Sequence, residues 1–201
     1  LKEGQVLDSF SVTLPGKHNA LNSLAVIAVL DSQGYSPQQY KKGLEEFAGV
    51  KRRQEVRGIV NGITVIDDFA HHPTAVKETL DALHQAYEGQ RLIAVFEPRT
   101  NSSRRSIFQK DYVTSFNNAD MVILRNPVPL DSVPEEQLFS SEKLAEDLKS
   151  LNISTSVLPS ADEILEQLDS IMKEGDVIAI LSNGGFENIH SRLLDLLKAR
   201  K

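Results

Sequence analysis

The chain has 201 residues, 40% hydrophobic and 25% charged, a balance typical of a soluble globular protein and long enough to bury a core without covalent staples. Its 28 acidic against 22 basic residues give a formal net charge of −6, which argues against general nucleic-acid binding, because neutralising phosphates takes an excess of Lys and Arg. It contains no cysteine, which excludes a disulfide scaffold, a thiolate metal site and a cysteine nucleophile, and no apolar run approaches the length of a membrane span or the pattern of a signal peptide.

In chain order, the sequence opens on Leu1 and not Met, as a fragment would. Val6 to Leu14 alternates with Phe10, Val12 and Leu14 on one face, which predicts a strand ended by Pro15-Gly16. A helix is predicted from about Asn19 to Ser32, with Leu21, Leu24, Ala25, Ala28 and Val29 at helical spacing and Gly34 as its stop. Ser36-Pro37 reads as an N-cap followed by a first-turn proline, opening a helix that ends near Ala48-Gly49. The composition changes at Lys51-Arg52-Arg53, and a domain boundary is placed near residue 50. Two strands, Gln54 to Val60 and Ile63 to Asp67, flank Asn61-Gly62, a strong hairpin signal because both residues tolerate positive φ.

From there helices and strands alternate. Helices are predicted after Pro73 to about Tyr87, from about Arg105 to Asn117, and over Ser141–Ser150, Ala161–Lys173 and Ile189–Ala199. Strands are predicted at Arg91–Phe96, Met121–Leu124, Thr155–Leu158 and Asp176–Leu181, with a proline-containing loop over Asn126–Phe139. The pattern predicts an α/β fold, a Rossmann-like, mainly parallel sheet with helices on both faces. In such sheets ligands bind beyond the C-terminal strand ends. Three loops there carry polar chemistry: Asp68 to His72, Glu97 to Asn101, and Ser182 to Phe186.

Each candidate has two readings. Asn19 and Asn22 share a helical face, and their amides suit the edge of a purine; equally, Asn19 caps the helix and His18 is a solvated loop residue. Asp68 at a strand end suits ribose hydroxyls, and with His71 it could ligate a metal, although no third ligand stands at a recognised spacing; equally, Asp68 starts a turn. Arg52 and Arg53 offer bidentate forks for phosphate or form a solvated basic face. Arg99, with Arg104 and Arg105 beyond it, offers an anion site or an exposed basic loop. Ser182-Asn183-Gly184-Gly185 offers backbone N–H groups to a carboxylate or simply turns the chain. No GxxxxGK[ST] loop is present, so this chain does not carry its own phosphate cradle.

Pro15-Gly16-Lys17-His18-Asn19 with Asn22, then Arg53 before an Asn-Gly hairpin, then Asp67-Asp68-Phe69-Ala70-His71-His72-Pro73, resembles the Mur ligase family in order and spacing. The resemblance implies that residues 1–49 are the C-terminal tail of a central ATPase domain and 50–201 the C-terminal domain. It implies that the N-terminal and central domains of the same chain lie upstream. Glu97-Pro98-Arg99-Thr100-Asn101 and Ser182 to Phe186 are similar to the branch that joins UDP-N-acetylmuramate to the recycled cell-wall tripeptide L-Ala-γ-D-Glu-meso-diaminopimelate, using ATP and Mg2+ through an acyl phosphate, in the bacterial cytoplasm. On that resemblance His18, Asn19 and Asn22 face the adenine end. Arg52 and Arg53 reach the nucleotide on closure, and Asp68 binds ribose. His71 lines the cleft, with Arg53 and His71 as the catalytic pair. Arg99, Asn101, Ser182, Asn183, Gly184, Gly185 and Phe186 hold the peptide. No metal ligand is assigned to this chain, and neither nucleic acid nor membrane is an expected partner. The family's Asp-Asn-Pro-Arg motif for diaminopimelate is absent. Two rival expectations are the L-alanine-adding ligase of the same family and a non-catalytic α/β binding module.

Overall fold

The computed structural model describes residues 4–128 and 133–200. The chain divides into two compact units, residues 1–50 and 51–201. The first unit contains two helices, α1 (Lys17–Ser32) and α2 (Pro37–Glu45). The strand expected over Val6–Leu14 does not form: a strand needs a hydrogen-bonded neighbour to satisfy its backbone, and this unit holds two helices and no strand among its described residues. Helix α1 starts at Lys17, two residues earlier than expected, with Gly16 as its cap at φ 99°. Its expected apolar stripe is exposed at Leu21, Leu24 and Val29, and Ile27 is the buried position. Helix α2 is closed by a reciprocal bond pattern between Ser36 and Gln39, with Pro37 at its start, as the Ser-Pro signal predicts.

The second unit is a six-stranded sheet. Its strands are β1 (Glu55–Val60), β2 (Ile63–Asp68), β3 (Leu92–Phe96), β4 (Met121–Arg125), β5 (Ser154–Leu158) and β6 (Val177–Leu181). The spatial order is β1-β2-β6-β3-β4-β5. Only β1 runs antiparallel to its neighbour, through the Asn61-Gly62 turn with φ of 52° and 72°. The helices are α3 (Pro73–Ala86), α4 (Gln109–Ser115, preceded by a 3-10 turn at Ser106–Phe108), α5 (Ser141–Ser150), α6 (Ala161–Ile171) and α7 (Ile189–Ala199). The helix expected over 105–117 is therefore shorter and begins as a tighter turn. Residues 129–132 of the expected Asn126–Phe139 loop lie outside the described residues. Among the described residues no helix is long and apolar enough to cross a membrane.

Both faces of the sheet are covered, which is why β3 and β6 read as unbroken apolar runs. Side chains alternate between faces along each strand. Leu92, Ala94, Phe96, Val177, Ala179 and Leu181 pack with α3, α4 and α5 on one face. Ile93, Val95, Ile178 and Ile180 pack with α6 and α7 on the other. This split matters for function. The chain leaving β2 and β3 goes to the first face, whereas the chain leaving β6, which lies between them, goes to the second. The connections diverge there, and in open α/β sheets such a switch point is where ligands bind.

Candidate functional site at the C-terminal strand ends

The loop after β2 is shaped by two adjacent aspartates that point to opposite faces. Asp68 is buried, and its two oxygens accept from the backbone N–H groups of Ala70 (2.7 Å) and Gln54 (2.8 Å). Burial pushes its carboxyl above the ordinary range, against the lowering effect of those two amides. Asp67 faces α7, where His190 Nε2 lies 3.1 Å from its Oδ1. Burial acts to raise the Asp67 carboxyl, but the facing His190 and Arg52 outweigh it and hold the group below its ordinary range.

Arg52 ties this loop to the next strand end. Its Nη2 donates to the carbonyls of Ser182 (2.5 Å) and Gly184 (2.7 Å), its Nε to Asp67 Oδ1 (3.4 Å), and its guanidinium covers the Phe69 ring. Arg52, expected to assist at a nucleotide, already uses its Nε and Nη2 donors to hold the loops in place. Arg53 differs. It is exposed, sits 5.3 Å from the Phe69 ring, and acts electrostatically to lower the Asp68 carboxyl. His71 closes the loop with Nδ1 2.9 Å from Phe69 O, while its own carbonyl accepts from Tyr112 Oη at 2.5 Å. His72 caps α3, its Nδ1 accepting from Thr74 N at 3.3 Å.

The ends of β3 and β6 meet around Glu97, which is 4% exposed. Ser182 Oγ donates to Glu97 Oε2 at 2.5 Å, and Arg125 Nη1 donates to Glu97 Oε1 at 2.5 Å. Arg99 Nη1 stands 4.0 Å from the same Oε1, and its side chain remains 56% exposed. Arg99 lies across Gly184, so closely that a Cβ there would fall 2.3 Å from Arg99 Cδ. A Cβ at Gly184 would therefore have to displace Arg99, whereas one on Gly185 meets nothing within 4 Å.

The chain after Gly185 takes an unusual path. Phe186, Glu187 and Asn188 have φ of 43°, 50° and 59°, three successive non-glycine residues in the left-handed region. Each such residue costs on the order of 1 kcal/mol or more. Three contacts hold the path: Phe186 is fully buried, Glu187 pairs with Arg125 Nη2, and Asn188 N donates to Gly185 O.

Several expected ligand contacts are thus revised. Phe186 is buried in the second core layer and anchors the loop, so it presents no surface to a peptide. Ser182 is also fully buried; its N–H goes to Asp68 O and its hydroxyl accepts from Gly184 N, so two of the N–H groups expected to grip a carboxylate are already engaged. Asn183 Oδ1 is buried without a partner among the described residues. Asn101 is exposed and accepts from Arg104 Nη2 at 3.2 Å. In the first unit, Asn19 Nδ2 donates to Pro15 O at 2.7 Å, and Asn22 is exposed.

Sequence reasoning placed Glu97 in its loop without a role, and missed Arg125, Glu187 and His190. The signal for Arg125 was present: a charged residue closing an apolar strand, as Asp68 closes β2. His190 lies inside a helix and had no local signal.

Residues 52–184 match the family described as Mur ligase, glutamate ligase domain. The chain is 35% identical over 196 residues to a UDP-N-acetylmuramate–L-alanine ligase of Salinibacter ruber, covering 97% of this chain and 41% of that protein. It is 36% identical to the structure of a murein peptide ligase from Psychrobacter arcticus, with a TM-score of 0.71 over 96% of this chain and 39% of the other. It superposes with a TM-score of 0.79 on a UDP-N-acetylmuramate–alanine ligase from Thermotoga maritima, 26% identical, over 100% of this chain and 42% of that one. The chain spans about two fifths of the length of these relatives. With a family match over most of the second unit and, over 97% of its length, 35% identity to a relative, the chain belongs to the Mur ligase family.

Proposed function

We propose that this chain is the closing, amine-holding part of an ATP-dependent amide ligase. Residues 1–49 are read as the end of a central ATP-binding domain and 50–201 as the C-terminal domain. The reaction joins the muramate carboxylate of UDP-N-acetylmuramate to the free amine of L-Ala-γ-D-Glu-meso-diaminopimelate. The observation that carries this reading is Arg99, an exposed donor fork laid over a glycine at the switch point and not saturated by its nearest carboxylate. A planar fork suits a ligand carboxylate better than a point charge does, and the tripeptide offers several.

ATP, when bound, supplies the phosphoryl group that activates the muramate carboxylate. The residues here bind and orient. Arg53 is an exposed guanidinium with donors to offer phosphate oxygens, and His18, Asn19 and Asn22 are assigned to the adenine end. Asp68 acts through the backbone it holds, fixing the loop that carries Phe69 and His71. Arg99 fixes a carboxylate of the amine substrate, and Asn183 is assigned to the same seat. Orientation of this kind is a large share of what a ligase needs from its lid. Among the described residues no three His, Asp or Glu side chains converge on a metal position.

A second reading is addition of L-alanine, favoured by the 35% identity to the Salinibacter ruber protein of that name. The test is amide formation by the full-length enzyme supplied with ATP, UDP-N-acetylmuramate and either amine. The peptide reading expects turnover with the tripeptide and little with L-alanine; the reverse selects the second reading. The 201-residue chain alone is expected to form no amide with either.

A further inference from the structure

We infer that Arg125 is a positioning residue that occupies the Glu97 carboxylate and so leaves Arg99 free to take a carboxylate of the incoming amine substrate. This rests on the reading of Arg99 above. Glu97 is buried at the junction of the β3 and β6 strand ends and has two oxygens to satisfy. Ser182 Oγ takes Oε2 at 2.5 Å, and Arg125 Nη1 takes Oε1 at 2.5 Å. Arg99 Nη1 stands back at 4.0 Å from that same Oε1. Two arginines thus face one carboxylate oxygen, and the buried one, with a side chain 15% exposed, holds it. The exposed one keeps its charge and its fork for something else.

The balance depends on Arg125. A buried carboxylate without a cationic partner is costly and draws in the nearest one. Arg99 has a long flexible stem and only a short distance to close. Once paired with Glu97, its donors would turn inward, away from Gly184 and from any ligand. Arg125 also pairs with Glu187 and covers the Phe186 ring at 5.7 Å, so a competing role exists: a brace for the left-handed loop. The two roles predict different responses to the same substitutions. A lysine at 125 still neutralises Glu97 but cannot span both Glu97 and Glu187. Removing the Glu97 charge ends any capture of Arg99 but repairs no brace.

The experiment measures KM for the tripeptide and for ATP in the full-length enzyme carrying Arg125→Lys, Arg125→Met, Arg125→Met with Glu97→Gln, and Arg99→Lys, with thermal melts of each. Arg125→Met should raise the tripeptide KM about tenfold with the ATP KM unchanged, while Arg125→Lys stays within about threefold of wild type. Adding Glu97→Gln to Arg125→Met should bring the tripeptide KM back to within about threefold of wild type, a coupling that only neighbours in one network show. If Arg125→Met does not fold, Arg125→Gln takes its place with the same expectations. A lysine variant as impaired as the methionine one, or no recovery in the double variant, overturns the inference and makes Arg125 a brace. An unchanged tripeptide KM in Arg99→Lys would instead show that the reading of Arg99 itself had failed.

Discussion

The two ends of the parallel sheet are built by different rules. At the N-terminal end, Arg91 grips the fully buried Asp176 with two bonds, Nε to Oδ1 at 2.9 Å and Nη2 to Oδ2 at 2.6 Å. Lys173 N also donates to Asp176 Oδ2, and Asp120 accepts from Leu92 N. Where the chain turns near that end it uses residues that tolerate positive φ: Asn61, Gly62, Gly89, Asn152 and Gly175. At the C-terminal end positive φ falls on Arg52, Gln54, Phe186 and Glu187, residue types that resist it, and on Asn188. Among the described residues, the same end keeps Asn183 Oδ1 buried without a partner and Arg99 exposed. One end is assembled for stability. The other holds strain and an exposed donor fork, the pattern expected where a fold has given up stability for a site.

The largest expected effect sharpens that contrast. Arg91→Ala should cost the 201-residue chain about 3 kcal/mol, because it leaves a buried carboxylate unpaired. Denaturant melts read this, and in the full-length enzyme the KM values for ATP and amine should not move. A comparable loss of affinity would mean that the N-terminal end also serves the site. Next is Asp68→Ala, expected to cost about 2 kcal/mol, since two buried backbone N–H groups lose their acceptor. Unlike Arg91→Ala it should also weaken ATP use, because the loop carrying Phe69 and His71 loses its shape. Unchanged ATP affinity would make Asp68 a turn residue only.

Gly184→Ala comes third. The new Cβ would meet the middle of the Arg99 side chain and not backbone, so Arg99 moves while the fold stays. Affinity for the amine should fall about tenfold, or about 1.4 kcal/mol, with little change in melting temperature. Gly185→Ala, facing open space, is the control. The smallest effect is one of pH. Asp67 is held below its ordinary value of 3.8, so its contribution to stability is present above that value and is lost as pH falls through the lower folded value. Asp67→Asn should therefore flatten the acid end of the stability curve; an unchanged slope would mean that His190 and Arg52 do not hold the charge. Asp68 has the opposite sign: its raised value favours the folded state at low pH, and that contribution is lost as pH rises through the folded value.

Much of the second unit was legible from local pattern. The Asn61-Gly62 hairpin, the continuous apolar strands and the ends of α5 and α7 follow from turn chemistry, two-sided burial and helix periodicity. The strand expected at Val6–Leu14 was not, because alternation describes a strand only when a neighbour pairs with it. The candidate residues were legible as polar groups at or just beyond the end of an apolar strand, as at Asp68, Arg99 and Ser182. What each such residue does was not. Arg52 and Arg53 are adjacent and alike in sequence, yet one is tied to two carbonyls across the sheet and the other is left over an aromatic ring. Phe186 looked like part of a ligand loop and is its buried anchor. Those differences arise from partners more than 100 residues away for Arg52, which local spacing does not encode.

On the proposed reading, the open end of the sheet takes a carboxylate of the amine substrate through the Arg99 fork. Steady-state kinetics of full-length Arg99→Lys, with the tripeptide and ATP varied separately, measure this. Apparent affinity for the tripeptide should fall about tenfold, or about 1.4 kcal/mol, despite the retained charge, while that for ATP stays near wild type. A lysine variant that binds the tripeptide like wild type, or whose defect lies in ATP, would contradict it.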